Sequence, residues 1–302
     1  MTGPGAPPSD SDRANGLRAI RLRVYPVKGM RGTELRSMEF DDMGPRFDRR
    51  WMVVRADGGF ASQRDTPRLA TVRPRLADGA LRLETTGAEP LILPVRATGS
   101  PVRVRIHGSG ALATSVSPEA DAWLSGVLGG EFRLVFMRRE NARTTDPAYA
   151  GGHRVSFADG YPALVVSEAS VDELARRAGR AIPVERFRPN LVVAGAHPHD
   201  EDKWRRFAVG DLDFSAVKLC ARCKVTTTDQ ETGARDPERE PLRTLALYRR
   251  IESSVYFGVN VVHHGPGRIA VGDRIEVTER GIVPGARPGG SVTEPASRGG
   301  DG

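Results

Sequence analysis

Short runs in which apolar and polar residues alternate one by one recur along this chain, and that period of two commits most of it to β-sheet. Ile20, Leu22 and Val24 alternate with Arg21 and Arg23, and Val102, Val104 and Ile106 with Arg103 and Arg105. Successive side chains of a strand point to opposite faces, so each run presents one dry face and one wet one. In "WMVVRADGGF" the pair Asp57-Gly58 separates apolar runs, which predicts a hairpin, because these residues tolerate the positive φ of a tight turn. The pattern continues through "GALRLETTGAEPLILPV". After Pro189 it resumes in "LVVAG", "FAVGDLDFSAVKLC" and "GRIAVGDRIEV", whose Gly-Asp pairs read as turns.

Helical signals are few. Ser117-Pro118 offers an N-cap and a first-turn proline ahead of Trp123, Leu124, Val127 and Leu128. Ser170 with Glu173 predicts a capping box ahead of Leu174 and Ala175, with Gly179 as the stop, and "PLRTLALYRR" predicts a short helix. The expected fold class is mainly β with flanking helices, an α+β chain with barrel-like sheets. Residues 1–15 and 281–302 are rich in Gly, Pro, Ser and charge with almost nothing apolar to bury, and disordered tails are expected there.

The formal charge is +7, but basic residues are interleaved with acids and aromatics are sparse, which argues against nucleic acid as a partner and for a small anionic ligand. The longest apolar runs, such as 163–166 and 191–194, are far too short to span a bilayer. Two cysteines without a secretory stretch fit a reducing, cytoplasmic location, with the thiols reduced or metal-bound.

Both cysteines, Cys220 and Cys223, fall in "LCARCKVTTTDQETG", and three chemistries use a C-x-x-C spacing. A structural zinc site needs further close ligands, and the nearest are the isolated His197, His199, His263 and His264; "HPHDED" reads more simply as a solvated turn. A thioredoxin-like pair should open a helix, which the β-branched "KVTTTD" disfavours. The third chemistry is a thiolate ligand to a softer metal, with Arg222 holding the thiol ionised and Thr226, Thr227, Thr228 and Asp229 supplying polar groups. Two small residues buried in a core strand form the bland alternative, which spacing alone leaves open.

"LCARCKVTTTDQETG", followed by "EPLRTLALYR", resembles the signature of the MOSC domain, the C-terminal domain of molybdenum cofactor sulfurases, and in particular of the amidoxime-reducing component family. "VYPVKGMRG", "FDRRWMVV" and "QRDTPRLATV" resemble the N-terminal β-barrel that accompanies this domain. "ADGYPALVVSEASVDEL", "ERFRPNLVV" and "FAVGDLDF" resemble the MOSC core, so the resemblance runs from about Leu17 to Val277. It implies a barrel region over 16–137 and a MOSC core over 138–280 that share a molybdenum cofactor (Mo-molybdopterin) between them.

The resemblance further implies Cys223 as the protein ligand to the metal, with Cys220 a neighbour of no assigned role. Lys28 in "YPVKG", one of only four lysines, matches a basic position that contacts the cofactor, whose anionic tail needs a cation or N–H donors. Arg49 in "DRRW" matches another such position; strand alternation would turn only one of Arg49 and Arg50 inward, and Arg49 is preferred. Asp159 in "FADGYP" and Arg188 with Asn190 in "FRPN" match pocket positions, Arg222 would donate to the tail or the metal centre, and Thr226 adds a hydroxyl. Gly160 and Tyr161 depart from a hydroxyl-rich pair in the eukaryotic relatives.

The activity implied is a molybdenum-dependent oxidoreductase that reduces N-hydroxylated compounds, such as amidoximes, hydroxylamines and N-hydroxylated bases, with Asp229 as a proton relay. Two cysteines cannot hold an iron–sulfur cluster by four thiolates, so electrons are expected from a separate protein of ferredoxin, flavin reductase or cytochrome type. The alternative is a non-catalytic module that binds the cofactor or carries sulfur as a cysteine persulfide. A pyridoxal-phosphate site is disfavoured, because no lysine sits in a recognisable Schiff-base context.

Overall fold

In the computed structural model, which describes residues 16–283 and 285, the first alternating run forms the strand Arg18–Val24 and joins the sheet of the C-terminal half. The expected tail at 1–15, and the one at 281–302 apart from 281–283 and 285, lie outside the described residues. Arg18–Val24 pairs antiparallel with Leu191–Ala194, Leu22 facing Leu191, and on its other side with Thr33–Leu35. The nine-stranded sheet runs Ile275–Arg280, Trp204–Val209, Leu212–Arg222, Ser254–His263, Ala163–Ser167, Leu191–Ala194, Arg18–Val24, Thr33–Leu35, with Arg250–Ile251 beside Ser254–His263. The boundary between the halves in space therefore differs from that in sequence.

Ala163–Ser167 and Leu191–Ala194 run parallel, which requires a crossover, and the helix Glu168–Ala178 supplies it. This explains why 163–166 is apolar without alternation. Ala163 and Val165 enter a core with Trp204 and Phe207, while Leu164 and Val166 meet Val171 and Leu174 of the covering helix.

A second sheet has the order Pro101–Ile106, Ser109–Ser115, Phe132–Phe136, Trp51–Arg55, Val27–Lys28. Its core, with Trp51, Leu69, Leu124 and Leu134 fully buried, is closed by the helix Pro118–Leu128 and by the meander Arg73–Ala77, Ala80–Thr85, Ala88–Pro94. Each such side chain contributes roughly 1.5–3 kcal/mol by leaving water. A small sheet of Ser37–Asp41, Gly44–Pro45 and Gly267–Ala270 stitches the two ends of the chain together. The fold is mainly β with flanking helices, as the alternation predicts.

Local readings fare unevenly. Ser117 caps Pro118–Leu128 as expected, accepting from Ala120 N at 3.1 Å, and Leu242–Tyr248 is helical. The other cap is Ser167 rather than Ser170: it accepts from Ser170 N, and the helix ends at Gly179 with φ 67. Ser170 is drawn inward by Glu201, whose carboxylate takes its hydroxyl at 2.8 and 2.9 Å. "HPHDED" is a solvated turn only in its first part, His197 and Pro198 being exposed, since Glu201 within Asp200–Lys203 is completely buried. At Asp57-Gly58 the chain turns as predicted, Gly58 taking φ 77, but the returning limb pairs only through the bridge Val54↔Phe60.

Candidate cofactor site

Parallel pairing of Val27–Lys28 with Trp51–Met52 brings two N-terminal segments together, and Arg49 N is tied to Tyr25 O at 2.7 Å. Arg49 lies in a turn with φ 48, not on a strand, so alternation does not decide between it and Arg50. Their destinations do. Arg50 pairs with Asp41 at 2.5 Å, whereas Arg49 sits over the Tyr25 ring at 4.5 Å from its centroid, pairs with Asp48, and donates to Asn190 Oδ1 at 3.1 Å. Arg188, with φ 58, covers the same ring at 4.2 Å and donates to Met30 O at 2.6 Å. Burial pushes the Arg188 guanidinium down to about 10.

Asn190 locks this cluster. Its Nδ2 donates to Arg23 O and to Asp48 Oδ1, each at 3.0 Å, and its Oδ1 accepts from Arg49 Nη1 at 3.1 Å and from Leu164 N at 3.2 Å. Every donor and lone pair of the amide is used, so Asn190 positions Arg49 and has nothing left for a ligand.

On the far side of Arg49, the buried Lys28 donates to Phe157 O at 2.7 Å, pairs with Asp159, and lies 5.2 Å from the centroid of Phe60. Burial lowers the pKa of the ammonium, opposed by Asp159. Desolvation by the surrounding protein raises Asp159, but the Lys28 charge and the hydrogen bonds from His107 and Lys28 hold it well below the usual carboxylate range. Its side chain still meets solvent over 72% of its surface.

The cysteine segment comes from the C-terminal half. Leu212–Arg222 ends the strand, and Cys223, extended at φ −126, caps the turn Lys224–Thr227. Thr226 Oγ1 donates to Cys223 O at 3.0 Å, so that hydroxyl shapes the loop instead of facing outward. The segment is clamped to the N-terminal half: Gln63 and Gln230 exchange amide hydrogen bonds at 3.1 and 3.0 Å, and Arg235 Nη2 donates to Gln63 O and Arg64 O. That clamp delivers Arg64, whose Nη2 donates to Cys223 Sγ at 3.4 Å.

Arg222, expected to serve the thiol, instead donates through Nε to Phe257 O at 2.8 Å and through Nη1 to Phe187 O at 3.0 Å. Asp229 is likewise placed differently from the expected relay. Its Oδ1 accepts from Glu231 N, Thr232 N and Thr232 Oγ1 within its own turn, and it lines a cavity of about 450 Å³ with Arg23, Tyr25, Arg31 and Arg186. Cys220 packs against the core beneath the helix, where burial raises its pKa, opposed by the Arg222 charge and assisted by Asp159.

The donor set fits an anionic, thiolate-ligated group. Arg188 Nη2 and Arg222 Nη2 are buried with no partner, as is Thr228 Oγ1. A buried donor left unpaired costs about 1–3 kcal/mol, which an anionic acceptor would relieve. Zinc of the structural type has no such support: among the described residues no group of three or more His, Cys, Asp or Glu is placed to hold a metal ion. Sequence reasoning missed Arg64 and His107. Arg64 lay inside "QRDTPRLATV", but nothing in its period tells that it reaches a sulfur 159 positions away.

Fold and site together define a β-rich protein with a thiol contacted by an arginine of the other half and with buried guanidinium groups that lack acceptors. Residues 17–131 match the MOSC N-terminal beta barrel domain and residues 152–276 the MOSC domain. The chain is 34% identical to mitochondrial amidoxime reducing component 2 of Rattus norvegicus, over 84% of this chain and 81% of that one. It is 32% identical to mitochondrial amidoxime-reducing component 1 of Mus musculus, over 84% and 80%. With the molybdenum cofactor sulfurase of Oryza sativa subsp. japonica it shares 28% identity over 83% of this chain and 33% of that protein. The chain belongs to the MOSC-domain family, among the relatives of the amidoxime-reducing components. No helix among the described residues is long and apolar enough to cross a membrane.

Proposed function

We propose that this chain is a molybdenum-cofactor-dependent oxidoreductase that reduces N-hydroxylated compounds, including amidoximes and hydroxylamines, with electrons from a separate redox protein. The observation that carries this reading is the Cys223 sulfur facing Arg64, together with a buried N–H on each of Arg188 and Arg222 that has no acceptor. A thiolate suits a soft metal, and guanidinium donors suit a phosphate-bearing tail. When bound, the cofactor supplies the two-electron chemistry that protein side chains lack.

The chain's own residues bind and orient. Cys223 would be the metal ligand, with Arg64 donating to its sulfur and Thr226 fixing its backbone. Arg49, Arg188 and Arg222 would hold the anionic tail, Asn190 and Tyr25 keeping the first two in place. Lys28 and Asp159 would form the wall of the site on the side of the second sheet. Since Lys28 and Cys223 come from opposite halves, both regions, 16–137 and 138–280, are needed for binding. The two free thiols suit the cytoplasm, and a donor of ferredoxin, flavin reductase or cytochrome type would dock from outside.

The test is reduction of an amidoxime and a hydroxylamine by protein purified from a host that makes molybdenum cofactor, supplied with a competent electron donor. Formation of the amidine or the amine supports the reading. Molybdenum-loaded protein that reduces neither removes the substrate class, and a cysteine persulfide on metal-free protein selects the sulfur-carrier alternative.

A further inference from the structure

His107 sits at the tip of a hairpin and reaches Asp159 from there. Pro101–Ile106 and Ser109–Ser115 are joined by the two-residue turn His107-Gly108, with φ values of 47 and 82. Histidine, like Asn and Asp, is enriched at such positive φ values, so the turn accommodates it and does not by itself decide where the ring goes. The ring is nevertheless fixed. It packs edge-on against Phe60 with centroids 4.8 Å apart, and its Nε2 lies 3.0 Å from Asp159 Oδ1. Nδ1 makes no hydrogen bond within the described residues, and the side chain keeps 37% of its surface in solvent. The charged groups that face the ring are Asp159, in contact, and Lys28 and Arg143 behind that carboxylate.

We propose that His107 donates the proton that lets the substrate oxygen depart as water, with Asp159 orienting the imidazolium. The proposal rests on the function proposed above. Conversion of R–NH–OH to R–NH2 and water breaks the N–O bond and consumes two electrons, from the separate electron-donor protein, and two protons. His107 gives one proton from Nδ1 to the departing oxygen and regains it from solvent at its open edge. The second reaches the nitrogen from water. Nε2–H stays on Asp159 throughout, as in other carboxylate-oriented imidazoles.

Holoprotein of the wild type and of His107→Gly tests this, glycine being suited to the positive φ. Molybdenum content, thermal unfolding and amidoxime reduction are measured, the last with and without added imidazole. The expected result is wild-type molybdenum and unfolding temperature, a rate lower by about a hundredfold or more, and substantial recovery with imidazole. A variant that keeps its rate, that imidazole does not rescue, or that has lost its molybdenum overturns the proton-donor role while the wild-type activity upholds the function. A loaded wild type without activity overturns both.

Discussion

The Arg64 guanidinium, from the N-terminal half, donates to the sulfur of Cys223, from the C-terminal half, at 3.4 Å. The charge beside the thiol thus comes across the interface, while the adjacent Arg222 turns away to two backbone carbonyls, Phe257 O and Phe187 O. The two arginines should fail differently when removed.

Arg222→Ala strands both carbonyls and should destabilise the fold by about 3 kcal/mol. Arg64→Ala should cost under about 1 kcal/mol yet lower the molybdenum retained after purification. Both variants should lose molybdenum, and urea unfolding separates them; a neutral Arg222→Ala would contradict the placement.

Asn190→Ala removes the amide that joins Arg23, Asp48, Arg49 and Leu164, and should cost about 3 kcal/mol with loss of cofactor. Asn190→Asp should do no better, because it sets a carboxylate against Asp48. Near-native stability of either variant would show that Arg49 is held by other means.

Asp229→Asn keeps the oxygen that accepts from Glu231, Thr232 and its hydroxyl, so turnover should stay within about twofold of wild type. A fall of about a hundredfold, the scale of a lost proton carrier, would restore the relay expected from the sequence.

Glu201 gives a pH signature. Burial first, and Asp202 next, push its carboxyl up from the ordinary 4.5 to about 7. The folded protein then keeps a proton that the unfolded chain releases, so stability falls as pH rises from 4.5 to about 7. At about 1.4 kcal/mol per pH unit the loss is about 3 kcal/mol. Unfolding of wild type and Glu201→Gln at about pH 5 and about pH 7.5 should show the fall in the wild type alone; parallel behaviour would contradict it.

The strands were legible because alternation is local: Ile20, Leu22 and Val24 announce their dry face without knowing their partner. The partner itself was not legible, since Leu22 meets Leu191 through a sheet that crosses the chain's midpoint. Residues in the cysteine segment could be named from the motif, but not aimed. Arg222 and Cys223 are neighbours in sequence and diverge in space, while Arg64 converges on the sulfur through the Gln63–Gln230 clamp. Alternation does not separate Arg49 from Arg50, because a φ of 48 places Arg49 in a turn. Ser170 is not the cap because the strand Ala163–Ser167 runs straight into the helix at Glu168, which leaves Ser170 inside the first turn with its hydroxyl on Glu201.

The most direct test of the central claim is molybdenum and pterin analysis of wild type and Cys223→Ala purified in parallel from a host that makes the cofactor. Near-stoichiometric molybdenum in the wild type that falls sharply in a folded Cys223→Ala is the predicted result. Equal molybdenum in both, or neither metal nor pterin in the wild type, would contradict the assignment of Cys223 as the ligand.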